Sequence, residues 1–252
     1  MTVFVTIFTR PLLLVCWLAT TPVVLAEDTV DSAEQPEAPS KAKQLAPKIE
    51  KVSPGVFRVA EDIRLDLKSR EISFPAFSNQ VEGLVEYALV HENGKTHESL
   101  FRTKINPRNL QTTLLLARVE AAKGFVENLW KEDREKLDVS SSRLEIIVSW
   151  KGEDGPREGS LESMAVNATT KKTIAAGSFV FNGSRFVEDV FMAEQSGSII
   201  AVYADDTAMV NSGDHDSNND DVWIVRKEAM PPLDHPVTLT LKFPQKKVTS
   251  QD

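Results

Sequence analysis

The stretch Leu84-Val85-Glu86-Tyr87-Ala88-Leu89-Val90-His91-Glu92-Asn93-Gly94-Lys95-Thr96-His97-Glu98-Ser99-Leu100-Phe101 decides how the rest of the chain is read. Leu84 to His91 and Thr96 to Phe101 have strand composition, and Glu92-Asn93-Gly94-Lys95 separates them. Asn-Gly between such runs is a hairpin signal, because both residues tolerate the positive φ of a type I′ turn. With Asn93 and Gly94 as the loop, the pairs run outward as His91 with Thr96, Val90 with His97, Leu89 with Glu98 and Ala88 with Ser99. Alternation then sorts Glu86, Ala88, Val90, His97, Ser99 and Phe101 onto one face. Val85, Tyr87, Leu89, His91, Thr96, Glu98 and Leu100 share the other. The second set is the more apolar and is expected to face the core. Glu98 then lies at the rim, diagonal to His91 across the ladder.

Two chemistries follow from this map. Glu86, His97 and Ser99 on one face suggest an acid, a base and a nucleophile. His97 and Ser99 are two apart on one strand, so their side chains run parallel, with Cβ atoms roughly 6 to 7 Å apart. No Gly-x-Ser-x-Gly elbow accompanies them, so a solvated sheet face is the plainer expectation and no catalytic set is assigned. The other chemistry is a polar binding site in which Glu98 is met by His91, Lys95 or Arg102. A structural ion pair is the plainer expectation there, since buried charges are usually satisfied locally.

Outward from this segment, Val56 to Val59, Ile63 to Leu67 and Glu71 to Phe74 alternate with period two. Arg143 to Trp150, Gly177 to Phe181, Ser198 to Tyr203, Val222 to Val225 and Pro236 to Phe243 also read as short strands. Asn106 is placed to cap a helix that has Pro107 in its first position and Leu110, Leu114, Ala117 and Ala121 on one face. Phe125, Val126, Leu129, Trp130 and Leu137 mark a second amphipathic segment after Gly124. The expectation is an α+β fold, β-dominated, of mostly antiparallel short strands with one or two helices.

Residues 1–26 contain one charge, Arg10, followed by the apolar run Pro11 to Ala19 and by Val24-Leu25-Ala26, a fitting cleavage site. A secretory signal peptide removed near Ala26 is expected, which places the protein in the periplasm or outside the cell and leaves the mature chain without a transmembrane span. Residues 27–50 are mostly Ala, Pro, Glu, Lys and Ser, a composition that cannot offset its ordering entropy, and read as a disordered linker. Residues 51–252 then form a single domain. The chain carries 29 basic and 37 acidic side chains, a net charge of −8, which argues against nucleic acid as a partner. Cys16 is the only cysteine and lies inside the leader, so disulfides, thiolate metal sites and thiol nucleophiles are excluded from the mature chain.

Asp214, Asp216, Asn218 and Asp220 alternate like the opening of a calcium loop. The match stops at Asn219, where a glycine is needed, and at Val225, where a bidentate glutamate is needed. A hydrated acidic loop is expected, with calcium the one cofactor the sequence leaves open. Four histidines without a His-Glu-x-x-His spacing give no zinc pattern. No phosphate-binding glycine loop is present.

Glu86-Tyr87-Ala88-Leu89-Val90 followed by Gly94-Lys95-Thr96-His97-Glu98-Ser99-Leu100, then Pro107 and a Leu-rich helix, resembles the YdjY-like domain of exported bacterial proteins. Phe179 to Ser184, Gly197 to Tyr203 and Pro236 to Leu241 extend the likeness over most of residues 70 to 243. The resemblance implies shared positions rather than a reaction, and those that carry over are Glu86, Gly94, Lys95, His97 and Glu98. Some relatives are described as ferredoxin-like and carry cysteine clusters; with no cysteine after Cys16, cluster-based electron transfer is not inherited. The functional expectation is an exported, non-catalytic binding or structural module with an envelope or extracellular partner. The alternative is a hydrolase or metal-dependent enzyme centred on the Gly-Lys-Thr-His-Glu-Ser segment.

Overall fold

A computed structural model of the chain describes residues 46–60 and 62–244. The expected signal peptide and most of the expected linker lie outside the described residues. The strands are β1 (Ile49–Ser53), β2 (Val56–Val59), β3 (Ile63–Asp66), β4 (Glu71–Ser78), β5 (Tyr87–His91), β6 (Ser99–Thr103), β7 (Glu145–Gly152) and β8 (Gly155–Ser160). They continue as β9 (Ala165–Asn167), β10 (Phe179–Phe181), β11 (Phe186–Val187), β12 (Val190–Phe191), β13 (Ser198–Ala201), β14 (Val210–Ser212), β15 (Trp223–Val225) and β16 (Pro236–Lys242). Helices α1 (Pro107–Leu116), α2 (Phe125–Leu129) and α3 (Met192–Ser196) are the α component. Ile49 and Glu50, the last two positions of the expected linker, therefore lie in a strand.

β4 organises the main sheet. β16 pairs along one of its edges from Pro236 opposite Phe77 to Lys242 opposite Glu71, and β7 and β8 continue outward from β16. The other edge is divided, with β3 beside Glu71 to Ser73 and β6 beside Phe77 and Ser78. Pro75 sits in the gap between those two partners. The Thr103 hydroxyl donates to the Pro75 carbonyl at 2.7 Å, so this is the edge on which an N–H at Pro75 would have pointed, and its absence breaks no ladder bond. Ile72, Phe74 and Ala76 of β4, Val237, Leu239 and Leu241 of β16, and Ile146 and Val148 of β7 all point into one core. Each large side chain so buried contributes roughly 1.5 to 3 kcal/mol.

Helix α1 forms as its sequence predicts. The Asn106 side chain accepts from the N–H groups of Arg108 at 2.8 Å and Asn109 at 3.3 Å, Pro107 occupies the first turn, and Leu110, Leu114 and Ala117 are buried. The second amphipathic segment is helical only over α2. Beyond it the Asn128 side chain donates to the Glu135 carbonyl and accepts from the Glu135 N–H, both at 2.9 Å, which fixes a loop where the helical periodicity would have continued.

The expected hairpin is not formed. β5 and β6 are parallel neighbours, with Tyr87 opposite Ser99, Leu89 opposite Phe101 and His91 opposite Thr103. After His91 the chain doubles back through residues 92–98 and ends that return in a 3₁₀ turn, Thr96–Glu98. The return is pinned at both ends, by the Glu92 N–H on the Thr103 carbonyl at 2.9 Å and the Glu86 N–H on the Glu98 carbonyl at 3.0 Å. Gly94 is there for proximity rather than for a left-handed turn. A methyl group on it would lie 3.0 Å from the Ser196 carbonyl oxygen and 3.1 Å from Gly197 Cα.

The sorting of inward and outward residues fails with the hairpin. β5 lies between β6 and β13. Ala88 and Leu89 join the main core, and Tyr87 and Val90 form a second cluster with Ala201 and Ala208. Ser99 and Phe101, expected on the outer face, are as buried as Leu100. A strand covered on both faces carries a continuous apolar run, and Tyr87-Ala88-Leu89-Val90 is one.

Candidate functional site

The return segment builds a polar cluster where β5 begins. It carries Lys95 back over Tyr87, with Nζ 5.0 Å from the ring centroid and 3.5 Å from Glu86 Oε2. Glu98, at the end of the 3₁₀ turn, closes the cluster from the β6 side. Its Oε1 lies 3.3 Å from His97 Nε2, while its Oε2 is buried and has no hydrogen-bond donor among the described residues. Glu86 and Glu98 are neighbours. Burial first, then the Glu98 charge and a hydrogen bond between the two carboxyl groups, raise Glu86 above the usual carboxylate range, against the pull of Lys95.

A second layer holds this cluster. The Tyr87 hydroxyl donates to Asp205 Oδ2 at 3.0 Å, and burial followed by the Asp205 charge pushes that phenol up to about 12. The Asp205 carboxylate also accepts from the Thr207 N–H at 2.8 Å and the Thr207 hydroxyl at 2.7 Å, and its own N–H donates to Asn211 Oδ1. Burial alone would depress the Lys95 ammonium. The Tyr87 hydroxyl beside it, then the charges of Glu86 and Glu98, instead hold it above its ordinary value. Tyr203, just past β13, is attached to the same spot through its N–H, which donates to the Glu86 carbonyl at 2.9 Å. The half-exposed Trp130 meets the Tyr203 ring edge-on, centroids 5.4 Å apart.

The residues singled out from the sequence separate into those brought together and those not. Glu86, Lys95 and Glu98 converge. His91 does not meet Glu98: in the parallel register it faces Thr103, five strand steps or roughly 16 Å from Glu86, and its Nδ1 accepts from the Asn93 N–H. Asn93 and Gly94 stay in the bend that starts the return, with no type I′ geometry. Arg102 pairs with Asp234 at 2.9 Å. Glu86, His97 and Ser99 form no relay: the His97 side chain is 74% exposed, whereas Ser99 is fully buried and its hydroxyl donates to the Thr96 carbonyl at 3.3 Å.

The acidic loop spends its oxygens internally. Asp214 accepts from the N–H groups of Ala175 and Asp216, and Asp216 accepts from the Asn167 side-chain amide at 2.8 Å and lies 2.9 Å from His215 Nδ1. Asn218 and Asp220 are exposed. Among the described residues, no three histidine or acidic side chains gather in a set that could hold a metal ion. No helix among them is long and apolar enough to cross a membrane.

Asp205, Tyr203 and Trp130 were not identified from the sequence as parts of this cluster. They reach it from loops distant along the chain, and the one local hint was the aromatic residue ending each apolar run, Tyr203 after β13 and Trp130 after α2.

Fold and cluster together define a β-dominated α+β module with a mixed acid, lysine and tyrosine centre at the mouth of a parallel strand pair. The family model of the YdjY domain matches residues 63–242, from the first residue of β3 to the last of β16, and the chain belongs to that family. No curated protein and no solved structure matches the chain.

Proposed function

We propose that the chain is an exported, non-catalytic binding module of the cell envelope, with its recognition centre at Glu86, Lys95 and Glu98. One observation carries this reading: the return of residues 92–98 leaves the charged groups partly open to solvent while it seals the Ser99 hydroxyl inside. Charged groups held by a hydrogen-bonded second layer suit selective non-covalent recognition. The acidic balance of the chain argues for a partner other than nucleic acid. Thermal-shift measurements with metal salts, amines and soluble glycans test the reading. A compound that raises the Tm of the wild type but not of Lys95→Met or Glu98→Gln supports it. Turnover of an ester, glycoside or phosphoester that disappears in Glu98→Gln overturns it.

A second reading, a hydrolase or metal-dependent enzyme, draws on the raised Glu86 beside a second carboxyl group, that of Glu98, a pairing suited to proton donation. Assays with the ester, glycoside and phosphoester substrates on wild type and Glu86→Gln decide between the two.

A further inference from the structure

A cavity that shares no residue with the Glu86 cluster lies where the loop after α2 meets the segment before β10 and the turn after β14, with a volume of about 340 Å³. Phe125, Leu129, Val139 and Val180, members of a small separate core, give it an apolar wall. Arg134, Lys136 and Arg143 line the same cavity, three cations together on a chain of net charge −8. None of the three forms an ion pair among the described residues. The acidic member of the lining, Glu135, is held by Lys131 at 2.5 Å. Two carboxylates reach the 175–178 loop and both accept backbone donors there, Asp214 from the Ala175 N–H at 2.8 Å and Glu162 from the Gly177 N–H at 3.1 Å.

Local structure holds the cations in place. The buried Asn128 clamps Glu135 through two hydrogen bonds at 2.9 Å, and Arg134 and Lys136 stand on either side of that clamp. Arg134 Nη1 donates to the Asp214 carbonyl at 2.9 Å, which uses one of the five guanidinium N–H groups. Arg143 is bridged to Val180 through its backbone and lies across Gly177, its Nη1 3.3 Å from where a methyl group on that glycine would stand.

We propose that this cavity binds a small organic anion, with its oxyanion head met by Arg134, Lys136 and Arg143 and its apolar body laid against Phe125, Leu129, Val139 and Val180. Guanidinium groups present paired N–H donors that match a carboxylate or a phosphate ester, and a partly apolar pocket of this size holds a compact ligand. An ammonium would meet three like charges, and a neutral molecule would leave the cations without an acceptor. The oxyanion chemistry is common to carboxylates and phosphate esters, so the experiment includes both. The proposal is independent of the recognition centre at Glu86, Lys95 and Glu98, and its failure would leave that reading untouched.

Amide proton–nitrogen correlation spectra of the isotope-labelled protein, titrated with benzoate, phenyl phosphate, inorganic phosphate and benzyl alcohol, test the proposal. Saturable shifts of the Gly177, Ser178 and Gly213 amides are expected with benzoate, phenyl phosphate or both, and preference between the two identifies the head group. Arg143→Met, a change at an exposed side chain whose folding the same spectra report, is expected to weaken binding about ten-fold or more. Lys136→Met, also at an exposed position, is expected to weaken it about three- to ten-fold. Raising the salt concentration should weaken it further. Absence of saturable shifts with both organic anions at millimolar concentration overturns the proposal, as do shifts that Arg143→Met and Lys136→Met leave unchanged. Benzyl alcohol binding as tightly as the better organic anion overturns it by removing the need for charge. Inorganic phosphate binding as tightly overturns it by removing the need for the apolar wall.

Discussion

Substitution of Gly197 by alanine examines the contact on which the return segment depends. Gly197 ends α3 with φ +75°, and a methyl group there would stand 2.7 Å from Gly94 Cα and 3.0 Å from Gly94 N. Two costs add. A left-handed conformation costs an alanine about 1 to 2 kcal/mol. Forcing a methyl against backbone atoms that cannot rotate away costs about 1 to 3 kcal/mol more. The expected loss is about 2 to 5 kcal/mol, a large share of the roughly 5 to 15 kcal/mol that holds a domain together.

Two further glycines separate the terms. Gly124 has φ +73° and nothing within 4 Å of an added methyl, so Gly124→Ala reports the conformational cost alone. Gly94 has no positive φ but meets the Ser196 carbonyl oxygen at 3.0 Å, so Gly94→Ala reports the packing cost alone. Urea unfolding of the three variants gives the differences from the midpoints, provided the slopes agree. Gly197→Ala should lose more than either of the others. If it loses no more than Gly124→Ala, the close approach of the two glycines does not hold the return in place and the reasoning fails.

Other expectations follow from single contacts. Asn106→Ala removes the cap of α1 and should cost about 1 kcal/mol in the same urea assay. Ser99→Ala removes a buried hydroxyl bonded to the Thr96 carbonyl and should cost roughly 1 kcal/mol of stability, while leaving any ligand-induced Tm shift unchanged. Glu162 is buried, and burial raises its carboxyl above the usual range although its Oε1 accepts from the Gly177 N–H at 3.1 Å. A raised carboxyl means that the folded chain holds the proton more tightly than the unfolded chain, so its contribution falls as pH climbs through the raised value. Glu162→Gln should therefore gain on the wild type between roughly pH 4 and pH 7, as urea midpoints at the two pH values will show.

Much of the scaffold is legible in the residues themselves. The alternation at Ile72, Phe74 and Ala76, and at Val237, Leu239 and Leu241, reads directly as strands buried on one face, and Asn106-Pro107 reads directly as the start of a helix. Asn93-Gly94 misleads because a dipeptide reports only what its own backbone can do. What decides its conformation is Gly197, over a hundred residues away, which lets two stretches of backbone touch. The unbroken apolar run Tyr87 to Val90 carries the opposite message, that of a strand covered on both sides, and it is the signal with the better physical warrant. Of the site, Glu86, Lys95 and Glu98 are legible as a motif. Trp130, Tyr203 and Asp205 are not, because their convergence is set by the placement of β13 beside β5 and by loops whose course no local pattern specifies.

The direction of β6 relative to β5 governs everything said of the cluster, and proton–proton nuclear Overhauser contacts in the isotope-labelled protein measure it. The parallel return predicts backbone contacts between Leu89 and Phe101 and between Glu86 and Glu98, with none between Val90 and His97. Contacts between Val90 and His97 would instead establish a two-residue reversal at Asn93-Gly94, and would take Lys95 and Glu98 away from Glu86.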